Sequence, residues 1–429
     1  MFGNGQTGEE GSRRRQVVRG RRASHLVLLL VVAACTKGAQ PSITACTAAR
    51  DSVVLAGDGY GFFDPVGAGC TVFPATAGAA EYLVVPQLTA GNPGDQAQYR
   101  LGGDTINPVT PSPTSQQLRA LPSAERFHQF LRLGEQRRSW GFAPQIGPQP
   151  SPPEPAPQVG PPAYNELRTF VVCAKLDCSR FDRVGARAKA INSKVAIFVD
   201  TLAPAGGLDS VALDSVARVF DQRLYAIDTT AFGRESDINA DSVVMVLMTN
   251  TVNKLVTASE CTDPTGGFVA GFFFGVDIDP HFSNDSRSNK AEVFYSIVAD
   301  PAGTLSCPHS AVELQALVPV TFIHEFQHMI SFNQHVLVRG QNGEVLWLNE
   351  GLSHYAEELG GRSYEANPDA RMADCIIGQT TCRFYVGNLL NAYDYLDSTA
   401  KHFLLPTEGI GSLAERGAQW LFVRYLVDQ

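Results

Sequence analysis

Two histidines four positions apart, with a glutamate directly after the first, are the side chains best suited to chemistry in this sequence. They stand in Thr321-Phe322-Ile323-His324-Glu325-Phe326-Gln327-His328-Met329-Ile330. On an α-helix a separation of four means about 40° around the axis and about 6 Å along it, so His324 and His328 reach one tetrahedral metal ion. Glu325 projects beside them, placed to exchange a proton with a water at that ion. Phe322, Phe326, Met329 and Ile330 form an i, i+4, i+7, i+8 apolar stripe for a core, and the histidines lie off it. Downstream, in Trp347-Leu348-Asn349-Glu350-Gly351-Leu352-Ser353-His354-Tyr355-Ala356-Glu357-Glu358, Glu350 reads as opening a second helix. A carboxylate is electrostatically favoured there and completes a His/His/Glu ligand set. The matching chemistry is hydrolysis at a zinc ion that keeps one open position.

The HExxH helix followed by a helix beginning Asn-Glu is the gluzincin arrangement. HEFQHMISFNQH with WLNEGLSHYAEEL resembles the hyicolysin family of bacterial zinc metallopeptidases over about Leu202 to Arg362. The resemblance implies an α+β, zincin-like fold: a mixed sheet with an active-site helix, then a mainly helical C-terminal part. It also implies endopeptidase activity on proteins or peptides, His324, His328 and Glu350 as zinc ligands, and Glu325 as general base. At one position the pattern departs. Thermolysin-like enzymes place an aspartate four residues after the ligand glutamate to orient a histidine, whereas this chain has His354, with Glu357 one turn further as the substitute. A metzincin needs Gly and His where Ser331 and Gln334 stand, and His335 misses by one. An aminopeptidase-type gluzincin shares Trp-Leu-Asn-Glu-Gly, but the Gly-x-Met-Glu-Asn element that grips a free amino terminus is missing from the sequence. An oxyanion stabiliser is expected from the C-terminal region, with Tyr355, Tyr385, Tyr393, Tyr395 and His402 as candidates.

The elements that must position these groups follow from periodicity. Val195–Asp200 and Ser242–Met248 are strand-like, with a helical pattern at Ser210–Leu224 between them. Gly266–Asp277, glycine-punctuated and aromatic, resembles the edge strand against which zincins align substrate; a core strand fits the pattern equally well. Ala291–Val298 is strand-like, and helices dominate from Val312 onward, ending in an amphipathic Gly411–Gln429 with no stop signal, which suggests a truncated C-terminus. Upstream, residues 35–103 read as a small β-sandwich-like module. Residues 104–163 read as a linker that contains a helix (Ser123–Arg138, with Phe127, Phe130 and Leu131 on one side). Nine of the twenty residues 143–162 are proline, a polyproline II spacer. Residues 164–429 are then the zinc metallopeptidase domain.

The N-terminal 34 residues read as a lipoprotein signal peptide. Six arginines precede the apolar run Leu26–Val32, which is too short to span a bilayer. Val32-Ala33-Ala34-Cys35 resembles a lipobox, making Cys35 the lipidation site. The expected place is the bacterial cell envelope, on the outer membrane or cell surface, or secretion if Cys35 carries no lipid. The other eight cysteines suit an oxidising compartment, with sequential pairing expected: Cys46 with Cys70, Cys173 with Cys178, Cys261 with Cys307, Cys375 with Cys382. A formal charge of -9 argues against nucleic acid as a partner, and the oligomeric state is open. Asp237, Asn239 and Asp241 start like a calcium loop, but Ser242 replaces the required glycine and Met248 the bidentate glutamate, so a polar turn is expected. His25, His128, His281, His309 and His402 read as surface or loop. The alternatives to a protease are a catalytically silent lipoprotein using the fold as a binding module, and a zinc-dependent scaffold.

Overall fold

The computed structural model describes residues 121–141, 160–263, 266–364, 380–406 and 409–428, with isolated positions between 51 and 84. The chain divides into two compact units, 1–84 and 85–429. In the first, the described elements are β1 (Asp51–Ser52) and β2 (Thr71–Val72), paired in parallel. The rest of the expected β-sandwich lies outside the described residues, as do Cys35, Cys46, Cys70 and Cys375.

The second unit is built on a six-stranded mixed sheet. Its strands are β3 (Leu167–Cys173), β4 (Phe181–Ile191), β5 (Val195–Asp200), β6 (Val244–Met248), β7 (Gly271–Phe273) and β8 (Val293–Ser296), in the order β3-β4-β5-β6-β8-β7. The β3-β4-β5 part is antiparallel, β5-β6-β8 parallel, and β7 returns antiparallel to β8 as the last strand. β4 alternates buried Val184, Ala186, Ala188 and Ala190 with Arg183, Arg187 and Lys189, a half-buried strand. β5 and β6 are apolar runs, as strands covered on both faces require. Between them run α2 (Ser210–Val219), capped by Asp209, whose carboxylate accepts from the Ala212 N–H at 2.8 Å, and, after a π-turn at Phe220–Leu224, α3 (Tyr225–Phe232).

The helix that carries HExxH is α4 (Ala311–Phe332). Ser310 and Glu313 form a capping box at its start, a signature legible as S-x-x-E. Pro319 inside it has no N–H to donate, and the Gln315 carbonyl instead accepts from Arg383 Nη1 at 3.5 Å. The apolar stripe faces the core: Phe322 packs edge-on to Phe294 of β8 at 4.8 Å, and Phe326 on Phe220 of the π-turn at 5.1 Å. α5 (Leu346–Arg362) follows. It begins four residues before Glu350, so Glu350 sits at the end of its first turn rather than at its opening. α6 (Val386–Asp397) and α7 (Leu413–Val427) complete the helical part. None of the described helices is long and apolar enough to cross a membrane.

One helix lies where a linker was expected. α1 (Ser123–Arg137) packs into the same core as the sheet. Phe127 and Leu131 are 0% exposed, and Phe127 meets Phe272 of β7 edge-on at 5.0 Å. The apolar side read from its sequence is buried in that core, with Phe127 against β7.

Candidate metal centre

α4 and α5 bring His324, His328 and Glu350 together, with one ligand atom of each within 4.8 Å of the others. His324 Nε2 is 3.7 Å from Glu350 Oε2, and His328 Nε2 is 3.8 Å from Glu350 Oε1. Both rings are turned by bonds at their far nitrogens. His324 Nδ1 donates to Glu357 Oε1 at 2.7 Å, and His328 Nδ1 to Asn349 Oδ1 at 2.6 Å. This fixes the tautomer that leaves each Nε2 free to bind an ion. The Ser353 hydroxyl, packed on the His328 ring, donates to Gln327 Oε1 at 2.5 Å. Both Glu350 oxygens are buried and accept no hydrogen bond. Two imidazoles with free Nε2 and a buried, unsatisfied carboxylate are the donor set that zinc takes in hydrolytic sites, so the residues fit the ion.

Charge at the centre follows from burial and neighbours. For Glu350 burial acts upward, but Arg416, His328 and His324 outweigh it and hold the carboxyl well below its ordinary range. Burial pushes His328 well down, keeping it neutral. For His324 burial also acts downward, yet the bond to Glu357 and the charges of Glu357, Glu325 and Glu350 leave it raised. Burial raises the Glu325 carboxyl, with His324 and Arg132 pulling against it. Its Oε2 accepts from the Phe273 N–H of β7 at 2.8 Å, so the glutamate of HExxH is tied to the edge strand.

Of the two residues considered where the sequence departs from the thermolysin pattern, Glu357 is the one bonded to His324, and His354 lies against Glu357, its Nδ1 3.2 Å from Glu357 Oε1. The oxyanion candidates are dispersed. Tyr355 and Tyr385 pack with Cys382, Trp420 and Val423. Tyr395 packs on Ala414 and Ala418 and faces His402, and Tyr393 is 65% exposed. Among the described C-terminal residues, Arg416 of α7 meets Glu350, with Nη1 3.6 Å from Glu350 Oε2. Its Nε and Nη2 are buried without a hydrogen-bond partner. Three groups from α1 also reach this region. His128, half-buried on α1 and not in a loop, lies within the electrostatic reach of Glu350, Arg416 and His324. Arg132 and Glu135 are fully buried and paired at 3.0 Å. Nothing in local spacing points Arg132 to the Phe273 carbonyl, Asn349 to His328 or Arg416 to Glu350, because each of these contacts joins two different elements.

The remaining candidates are structural. Disulfides join Cys173 to Cys178 and Cys261 to Cys307, and Cys382 is also bridged. His309 lies beside Cys261 and Cys307, but their sulfurs are bonded to each other and are not thiolate ligands. At the suspected calcium loop, Asp237 accepts from the Ser242 N–H at 3.2 Å and Asp241 from the Val243 N–H at 3.1 Å, the bonding of a polar turn. His335 pairs with Glu344 at 3.1 Å, away from a metzincin ligand position.

No family model matches the chain. The chain is similar to the neutral metalloprotease ShpI of Staphylococcus hyicus, 28% identical over 202 residues, which are 46% of this chain and 40% of that protein. It therefore spans well under half of that relative's length. The likeness to a metalloprotease and the buried His/His/Glu group agree, and together they support placing the chain among metallopeptidases.

Proposed function

We propose that this chain is an exported zinc-dependent endopeptidase of the hyicolysin type, with a zincin-like, gluzincin site that hydrolyses peptide bonds of protein substrates. One observation carries the reading: His324 Nε2 and His328 Nε2 converge on a buried Glu350 while Glu357 and Asn349 hold their far nitrogens. A binding module would not need Glu325 buried beside that set with a raised carboxyl. Zinc, held by His324, His328 and Glu350, would supply Lewis acidity toward the scissile carbonyl and the attacking water. Glu325 takes that water's proton and delivers it to the leaving amine, a task favoured by a carboxyl whose affinity for protons is above normal. Glu357 and Asn349 keep the two imidazoles in the metal-binding tautomer throughout. Arg416 offsets the charge of Glu350. We further propose that Cys35 carries a lipid that anchors the enzyme in the bacterial envelope, as its lipobox-like context suggests.

The test separates binding from chemistry. Glu325→Gln should retain one zinc per chain and lose about 10²- to 10⁴-fold in peptide hydrolysis. Glu350→Ala should lose zinc and hydrolysis together. A wild type that binds zinc yet cuts no peptide in any activated form, or a Glu325→Gln chain that cuts at the wild-type rate, refutes the mechanism. Metabolic labelling with a palmitate analogue tests the anchor: label that persists in Cys35→Ser argues against it.

A further inference from the structure

β7 is the outermost strand of the sheet, yet all three of its residues are buried. Its inner side pairs with β8, and its outer side is the one to which an extended peptide would add by strand pairing. That side is already taken. The Phe273 carbonyl accepts from Arg132 Nη2 of α1 at 3.0 Å, and the Phe273 N–H donates to Glu325. Phe127 of α1 covers Phe272, and Trp140, just after α1, covers Phe274 at 6.0 Å. The helix also reaches the opposite side of the centre. A Cβ on Gly409, ahead of α7, would stand 2.7 Å from Gln129 Oε1, and one on Gly343, ahead of α5, 2.8 Å from the Glu135 carbonyl.

We propose that residues 121–141 are an autoinhibitory plug, a helix of the chain itself lying in the substrate cleft between β7 and the C-terminal helices, so that the metal centre is closed until α1 is displaced. This rests on the protease reading of the site.

The polar side of α1 argues against a permanent core element. Glu125, Arg132 and Glu135 are buried with His128 beside them. Glu125 Oε2, His128 Nδ1, and Arg132 Nε and Nη1 have no hydrogen-bond partner among the described residues. Each such atom costs free energy relative to water, a cost that a displaced helix recovers. A core helix would bury apolar groups at these positions. Holding the plug are its apolar stripe, the ion pair of Arg138 with Asp279 at 2.7 Å, and the hydroxyl of Ser123 donating to Glu260 at 2.5 Å. Its chain connection to the sheet runs through residues 142–159.

The test uses the full, zinc-loaded chain with a recognition sequence for a site-specific protease inserted between Gln149 and Pro150, with and without Leu131→Asp to loosen the cut helix. Before and after cleavage and size-exclusion chromatography, three quantities are read: zinc per chain, affinity for a fluorescent hydroxamate that binds zinc-protease sites, and peptide hydrolysis. Zinc should stay at one per chain throughout. In the cut Leu131→Asp protein the N-terminal piece should separate, and hydroxamate affinity should rise at least about 100-fold over the uncut wild type. The proposal is overturned if the uncut wild type binds the hydroxamate as tightly as the cut variant. It is also overturned if losing the piece unfolds the sheet, seen as loss of the near-ultraviolet circular dichroism. Tight hydroxamate binding after release with no hydrolysis leaves the plug intact and removes the protease reading.

Discussion

At the scale of single residues, the contacts of Arg416 with Glu350 and of Glu357 with His324 have effects that can be separated. Arg416 faces Glu350 inside the protein, and removing one partner of a buried ion pair typically costs about 3–5 kcal/mol because a charge is left uncompensated. Arg416→Met should therefore destabilise the metal-free protein by about that much, and zinc loading should narrow the gap, since the ion then compensates Glu350. Melting with and without zinc checks this; an equal loss in both states would assign Arg416 to packing alone. Glu357 gives a pH signature. Its carboxyl is held at about 2 against an ordinary 4.5, burial being outweighed by His354 and His324. A depressed folded value means stability that is complete above 4.5 and lost as pH falls toward about 2, on the order of 3 kcal/mol. Glu357→Gln should flatten that limb of the denaturant-derived stability curve of the metal-free protein; an unchanged acid limb would show that Glu357 is not the group responsible. His324, Glu325 and His328 stood out in the sequence because helical spacing sets the two histidines on one side, whereas Glu350 and Glu357 stood out through the downstream Asn-Glu segment and its family resemblance. Arg416, Asn349 and Arg132 did not, since each matters through a partner on another element.

At the scale of elements, the α6–α7 pair decides whether Arg416 reaches the site. Gly417, next to it, lies so close to α6 that a Cβ would stand 2.3 Å from Ala392 N and from the Asn391 carbonyl carbon. Alanine gains up to about 1 kcal/mol in helix propensity, but a clash with backbone has no side chain to move aside, and overpacking costs about 1–3 kcal/mol. Gly417→Ala should thus be destabilising. Gly387→Ala, on α6 with nothing within 4 Å of its Cβ, should be neutral or slightly stabilising. Thermal melts of the pair test the argument, and a stabilised Gly417→Ala would mean that the helices sit further apart than described. Sequence patterns located β5, β6, β8 and the C-terminal helices because their apolar residues are large and periodic. The β3–β4 hairpin escaped notice: the buried positions of β4 are largely alanine, which gives little hydrophobic contrast. α1 was read as linker because proline-rich stretches flank it, while its contacts lie more than 130 residues away.

At the scale of the whole molecule, the two described disulfides should differ in weight for a reason that local geometry does not supply. Cys173–Cys178 spans a sequence separation of 5 and closes the β3–β4 turn, whereas Cys261–Cys307 spans 46 and encloses β7 and β8. A bridge acts chiefly by restricting the unfolded chain, and the chain-entropy relation gives about 2 kcal/mol for the short loop and about 4 kcal/mol for the long one. Replacing Cys261 and Cys307 by serine should therefore lower the unfolding free energy by about 2 kcal/mol more than replacing Cys173 and Cys178. His324, His328 and Glu350 lie on α4 and α5, outside both loops, so zinc per chain should be the same in both variants at pH 7. β7 lies inside the long loop and holds Glu325 through the Phe273 N–H, so amide exchange at Phe273 should be faster in the Cys261/Cys307 variant than in the parent. Urea unfolding, zinc stoichiometry and amide exchange measured together decide the matter. A short-loop variant that costs as much as the long-loop one would place the stabilisation in the folded state, in the tight β3–β4 turn, rather than in the restricted unfolded chain.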